Sequence, residues 1–322
     1  MNEEKLYNLF SSNQNPKQEF SLNIDKYLKD FEKERRFDGR KSSTIKGDLI
    51  KTKVFLDFVN DTIKKPLNEL NYKDFVEFFY YLQEDRKVSR NTQNRYYNIL
   101  KVFFRINRLD VMNEFIEDSS ERKRFKRIEY KHYDVCTKRE YEAIINQILH
   151  KTSSNTRFRN ALVVKLLWET SARIGEILNV KIKDVNFKEN TIRLTDTKGY
   201  EERIVVFSNG SLELIKTILN VDKRNKERYL FESEKNNQLY KGSVNRAFKE
   251  AIKVLKENGT IDSSKRIVIH SIRHGRISEL LDTLPIDLVK EYVGHKSVKT
   301  TMIYAHSKER LNAQLNEVKK TL

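Results

Sequence analysis

Four of the six histidines fall between His270 and His306, interleaved with arginines and tyrosines. The first cluster reads His270-Ser271-Ile272-Arg273-His274, and the second runs from Val293-Gly294-His295 to Ile303-Tyr304-Ala305-His306. Upstream lies Thr170-Ser171-Ala172-Arg173-Ile174-Gly175-Glu176-Ile177-Leu178, and between them stands Lys198 in Thr197-Lys198-Gly199-Tyr200. Guanidinium forks can clamp both non-bridging oxygens of a phosphate, which a lysine cannot do bidentately. Imidazoles titrate near neutrality, so they can donate to the phosphate or relay a proton. A tyrosine becomes a nucleophile only when cations and hydrogen bonds surround its phenol. Together these residue types suit attack on a phosphodiester. Signatures for Ser/His/Asp hydrolases, P-loops, HExxH and GxGxxG are absent, and no Cys/His cluster has zinc-finger spacing.

The elements that must hold these groups are mostly helical. The chain has 322 residues, long enough for two domains that each bury a core. Only 9 Gly and 3 Pro occur, which argues against turn-rich all-β and collagen-like classes. From Phe20 to about Asn113 apolar residues recur at helical spacing, with a third helix starting near Asn71 and a fourth running from Ser89 to about Arg108. Thr137-Lys138-Arg139-Glu140 is a capping box that opens a second domain. The one β signal is Thr191 to Asp196, a turn at Thr197–Tyr200, and a return from Arg203 to Phe207. Helices are expected at about 212–220, 243–257, 271–282, 286–292 and 297–304. The class is mostly α with a small antiparallel β-sheet.

Charge points to a polyanion. The 63 basic and 46 acidic residues leave a formal charge of +17, which fits nucleic acid, although a lysine-rich genome would give the same surplus. The fourth helical segment carries Arg86, Lys87, Arg90, Arg95, Lys101 and Arg105 without an acid. A helix apolar on one side and basic on the other can rest on a core and face phosphates; a solvated face is the rival reading. Residues 114–136 read as a basic linker without a periodic apolar face, and Arg122, Lys123, Arg124, Lys126 and Arg127 could track a backbone groove.

In this order the motifs resemble those of the tyrosine recombinases, the phage-type integrases of the Xer-like kind. The family's pattern is an arginine in a T-G-L-R-I-S-E-L-like box, a lysine on a β-hairpin, H-x-x-R, then G-H followed nine residues later by tyrosine. Arg173, Lys198, His270 with Arg273, and His295 with Tyr304 match it, and Ser171-Ala172 stands where Gly-Leu is usual. The resemblance implies an N-terminal helical core-binding domain over 19–113, after a flexible 1–18, and an α+β catalytic domain over 137–306. It implies Tyr304 as nucleophile, a 3′-phosphotyrosyl intermediate, Lys198 as acid for the leaving 5′ oxygen, and no cofactor or metal. Glu176 is read as orienting Arg173, against the plainer reading of a helical Arg–Glu pair. The tail 307–322, with Leu311, Leu315, Val318 and Leu322, is expected to dock on a neighbouring protomer of a tetramer on DNA.

The expected activity is therefore site-specific recombination on double-stranded DNA, with accessory proteins possible as partners. A type IB topoisomerase and a non-catalytic DNA-binding protein of the same fold are the rivals. Neither a signal peptide nor a span of about 20 apolar residues is present, so a cytoplasmic protein without membrane contact is expected. Chromosome or plasmid dimer resolution and mobile-element integration both fit.

Overall fold

The computed structural model describes residues 20–126, 134–150, 156–195 and 202–305, except for the side chains at 299 and 303–305. The chain divides into two compact units, Met1–Lys131 and His132–Leu322. Among the described residues no helix is long and apolar enough to cross a membrane.

The first unit is a helical bundle: α1 (Ile24–Phe37), α2 (Ser42–Phe58), α3 (Tyr72–Glu84), α4 (Arg90–Ile106) and α5 (Asn113–Glu121). The expected starts hold. Asn71 accepts from the Lys73 amide and Asp74 reaches back to the Asn71 amide, while Ser89 caps α4 through the Thr92 amide. Phenylalanines fill the centre: Phe31, Phe55, Phe75, Phe78, Phe103 and Phe104 are buried, with edge-to-face pairs such as Phe55–Phe78 at 5.0 Å and Phe75–Phe104 at 5.3 Å.

One boundary differs from the sequence reading. The expected linker over 114–136 is folded over its described parts. Residues 113–121 form α5, Phe115 is fully buried, and Phe125 stacks on Tyr97 with ring centroids 4.4 Å apart. At the far end of that stretch, Cys136 lies in the core of the second unit. Two phenylalanines ten residues apart bury themselves without making a stripe, which is why periodicity overlooked them.

In the second unit, Thr137 and Glu140 cap α6 (Lys138–His150) reciprocally, at 2.8 and 3.3 Å. Helix α7 (Thr156–Thr170) buries residues from Asn160 to Thr170 on nearly every side and forms the centre of the core. There follow α8 (Ile174–Asn179) and an antiparallel sheet in the order β1 (Val185–Asn186), β2 (Thr191–Leu194), β3 (Arg203–Val206). The expected hairpin pairs Thr191 with Val206 and Leu194 with Arg203; the two-residue β1 was too short to read from sequence. Helices α9 (Asn209–Leu219), α10 (Lys241–Glu257), α11 (Ile269–Thr283), α12 (Ile286–Val293) and α13 (Val298–Ala305) complete the unit.

Candidate active site

Three chain segments converge. The first is the turn between α7 and α8, where the Thr170 hydroxyl accepts from the Ala172 amide and Arg173 becomes the cap of α8. The second is the start of α11, which carries His270, Arg273 and His274. The third is the end of α12, where Gly294 takes φ 68 and turns the chain into His295.

Arg273 ties the three together. It is 2% exposed; one Nη donates to the Ser171 carbonyl and the other to the Val293 carbonyl at 2.7 Å. His295 is buried as well, and its Nδ1 lies 2.9 Å from the hydroxyl of the fully buried Thr301 on α13. Tyr304 lies on that helix one turn beyond Thr301. The Tyr304 side chain, Lys198, Arg127, His306, the N-terminal 1–18 and the tail 307–322 lie outside the described parts.

Glu176 joins the site through two arginines. Its carboxylate accepts from Arg173 Nη1 at 2.8 Å, from the Arg173 amide at 2.9 Å, and from Arg203 Nη2 at 2.7 Å. Burial would raise this acid, but the hydrogen bonds and charge of Arg203 and Arg173 outweigh it and hold it below the usual carboxylate range. Both readings of Glu176 are thus partly present: it pairs with Arg173 along the helix, and the pair belongs to a larger cluster. The sequence reading missed Arg203, the first residue of β3, and Thr301. Neither stands in a motif position, and Arg203 meets its carboxylate across 27 residues of chain.

The histidines sit in a cationic field. His295 is pushed down to about 3 by burial and then by Arg273, Arg173 and Arg203. His274, whose ring meets that of His270 edge-on at 4.9 Å, is pushed to about 4 by burial, His270 and Arg273. His270 keeps an exposed surface; partial burial, Arg273 and Arg173 still lower it. Exposed His270 and the partly exposed Arg173 face outward, while Arg273 and His295 form the buried floor. A phosphate would bring the opposite charge to all of them.

This has a consequence for stability. Below the ordinary histidine pKa of about 6.5 the unfolded chain takes up protons that buried His295 and half-buried His274 refuse, so stability is lost as pH falls from 6.5 toward 4, at about 1.4 kcal/mol per pH unit for each histidine kept neutral. Urea unfolding at pH 7.5 and 5.0 should show the decline, and it should be shallower in His295→Gln. Equal slopes would contradict the assignment.

Ser171 occupies the position where the resembling family carries glycine, and its backbone shows why: φ is 50, the residue is fully buried, and its hydroxyl has no hydrogen-bond partner. A left-handed conformation costs a non-glycine residue about 1–2 kcal/mol, and an unpaired buried hydroxyl adds to that. Ser171→Gly should raise stability by about 1 kcal/mol after the extra chain entropy of glycine is subtracted, read as an upward shift of the thermal midpoint.

The other sites divide. On α4 the exposed Arg90, Arg95 and Arg105 lie opposite the buried Tyr96, Leu100 and Phe103, and the Lys101 ammonium sits 5.3 Å from the Tyr97 ring centroid. Arg86, Lys123 and Lys126 are exposed, and Lys87 is 3.5 Å from Glu84, just upstream of the acid-free stretch. Arg122 and Arg124 are engaged within their own unit: Asp118 holds them at 2.7 and 3.4 Å and also accepts from the Tyr72 hydroxyl. Cys136 is packing, its thiol pushed up to about 12 by burial and Glu140. No group of three or more His, Cys, Asp or Glu able to hold a metal occurs among the described residues.

Comparison with known proteins agrees with this geometry. Residues 135–310 match the phage integrase family, and residues 27–107 match the phage integrase N-terminal SAM-like domain. A protein of Methanocaldococcus jannaschii named probable integrase/recombinase is 46% identical over 302 residues, covering 93% of this chain and 91% of its own. A tyrosine recombinase of Thermosipho africanus is 26% identical over 269 residues, covering 82% and 88%. Among solved structures, a lambda integrase dimer bound to a COC′ core site superposes with a TM-score of 0.64 at 17% identity, covering 94% of this chain and 85% of that one. The XerH site-specific recombinase bound to its difH substrate gives 0.61 at 20%, covering 92% and 84%. At those identities the structures speak for the fold, and the sequence matches carry the family: the chain belongs to the phage integrase family, as a Xer-like tyrosine recombinase.

Proposed function

We propose that this chain is a site-specific DNA recombinase in which Tyr304 is the nucleophile and Arg173, Arg273, His270 and His295 bind the scissile phosphate. The observation that carries this reading is the convergence of those four side chains from three separate segments, with the helix bearing Tyr304 attached to His295 through Thr301. The two guanidiniums offset the charge that grows on the non-bridging oxygens as the phenolate attacks. Lys198 protonates the departing 5′ oxygen, and the 3′-phosphotyrosyl bond keeps the energy for rejoining. A 5′ hydroxyl from a second duplex then attacks phosphorus, releases the tyrosine and completes the exchange. The basic face of α4, together with Lys123, Lys126 and Arg127, supplies phosphate contacts that position without reading sequence.

Assembly follows the same reading. Two protomers act on each duplex, and the tail 307–322 joins neighbours into a tetramer. Removing residues 308–322 should weaken cooperative assembly in sedimentation while leaving single-site binding; unchanged assembly would refute that role. The function itself is tested by incubating the protein with nicked suicide duplexes carrying candidate sites. A covalent product whose labelled peptide contains Tyr304 is expected. A label elsewhere, or supercoil relaxation with no recombinant product, would overturn the reading.

A further inference from the structure

We propose that Arg203 is a positioning residue that returns to the phosphate pocket the positive charge Glu176 takes from Arg173. The inference rests on the recombinase reading above and adds a residue to it. An acid that fixes a catalytic arginine also neutralises it: Arg173 and Glu176 sum to zero, which leaves Arg273 as the net cation of the pair of clamps. Arg203 restores the balance from behind. Its side chain is 9% exposed and that of Glu176 is 4% exposed, so the ion pair is largely out of water, where charges are felt strongly.

The sharing of the carboxylate supports this. Arg173 Nη1 takes Oε1 at 2.8 Å and the Arg173 amide takes Oε2 at 2.9 Å, while Arg203 Nη2 takes Oε2 at 2.7 Å and its Nη1 lies 3.5 Å from Oε1. With the Arg203 fork facing both oxygens, the Arg173 guanidinium meets the carboxylate through Nη1 alone and not as a bidentate pair. Arg203 Nε is buried without a hydrogen-bond partner, so Glu176 dominates the orientation of this guanidinium. The side chain also passes beneath Gly294, where a Cβ would stand 3.0 Å from Arg203 Nη1 and 3.2 Å from its Cδ. One residue on β3 thereby touches the support of Arg173 and the turn that presents His295. Its charge reaches His295 alongside those of Arg273 and Arg173.

Single-turnover cleavage of a suicide duplex tests the role, with the same duplex carrying a neutral methylphosphonate at the scissile position as comparison. Arg203→Gln is expected to bind duplex as wild type does and to lose about 100-fold in phosphodiester cleavage, shrinking to under about tenfold on the methylphosphonate, where less charge must be offset. Arg203→Lys, which keeps the charge, should retain most activity. Removing acid and cation together in Glu176→Gln/Arg203→Gln should recover most of the loss, a rescue that a merely structural arginine would not give. Undiminished cleavage by Arg203→Gln, an equal loss on both duplexes, or a double variant no better than the single would overturn the proposal. Should Arg203→Gln fail to fold, Arg203→Lys and the double variant decide between the same outcomes. If the unaltered protein forms no Tyr304 adduct on the phosphodiester, the recombinase reading fails and this one falls with it.

Discussion

The protein carrying Tyr304→Phe should bind duplex DNA as wild type does and form no covalent product, a loss of at least about 10³-fold. The competing phenol in the same region is Tyr292, and the structure commits it elsewhere. Its hydroxyl accepts from the Val206 amide at 3.4 Å and donates toward the Glu169 carbonyl at 3.5 Å. Burial then raises its pKa further from the range a nucleophile needs. Tyr292→Phe should accordingly lose a structural hydrogen bond, worth about 1 kcal/mol, and still form the adduct. Denaturing gels of end-labelled suicide duplex distinguish the two variants directly. A covalent band surviving in Tyr304→Phe, or vanishing only in Tyr292→Phe, would move the nucleophile.

That contrast also shows where the sequence was informative. The interval from His295 to Tyr304 is a count of residues, and a count needs no structure. The same holds for Arg173, His270 and Arg273, for the helix start near Asn71, and for the caps at Ser89 and Thr137, whose partners lie within three residues. Information carried by long-range pairing was out of reach. Arg203 is one of 63 basic residues, and nothing near it in sequence announces Glu176. Phe115 and Phe125 bury themselves against α3 and α4 aromatics without a stripe of their own, so a charged stretch passed for a linker. Ser171 stands where the resembling family carries glycine, and only its φ of 50 shows the cost of the exchange.

Gly275→Ala is expected to be the most damaging single-methyl change in the second unit. Gly275 lies on α11, two residues after Arg273, against the irregular segment around Cys136 that opens its own unit. A Cβ there would stand 1.9 Å from the Cys136 carbonyl oxygen and 3.1 Å from Trp168 Cζ3. Neither neighbour can yield easily: Cys136 is fully buried and its amide donates to the Ser271 carbonyl at 3.4 Å, while Trp168 stacks on Tyr141 at 4.5 Å. The helix itself must shift, at a cost of about 2–4 kcal/mol for overpacking a filled core. It carries His270, Arg273 and His274 with it, and a displacement near 1 Å at the proposed phosphate clamp should cost about 100-fold in rate. Gly175→Ala is the internal control, since a Cβ on Gly175 meets nothing within 4 Å; there the better helix propensity of alanine should stabilise by up to about 1 kcal/mol. Urea unfolding of both variants, with single-turnover cleavage measured where Gly275→Ala remains folded, gives opposite signs if close backbone approach is what the α11 glycine provides. Two alanines of equal effect would mean that the approach of α11 to Cys136 does not set the geometry of the clamp.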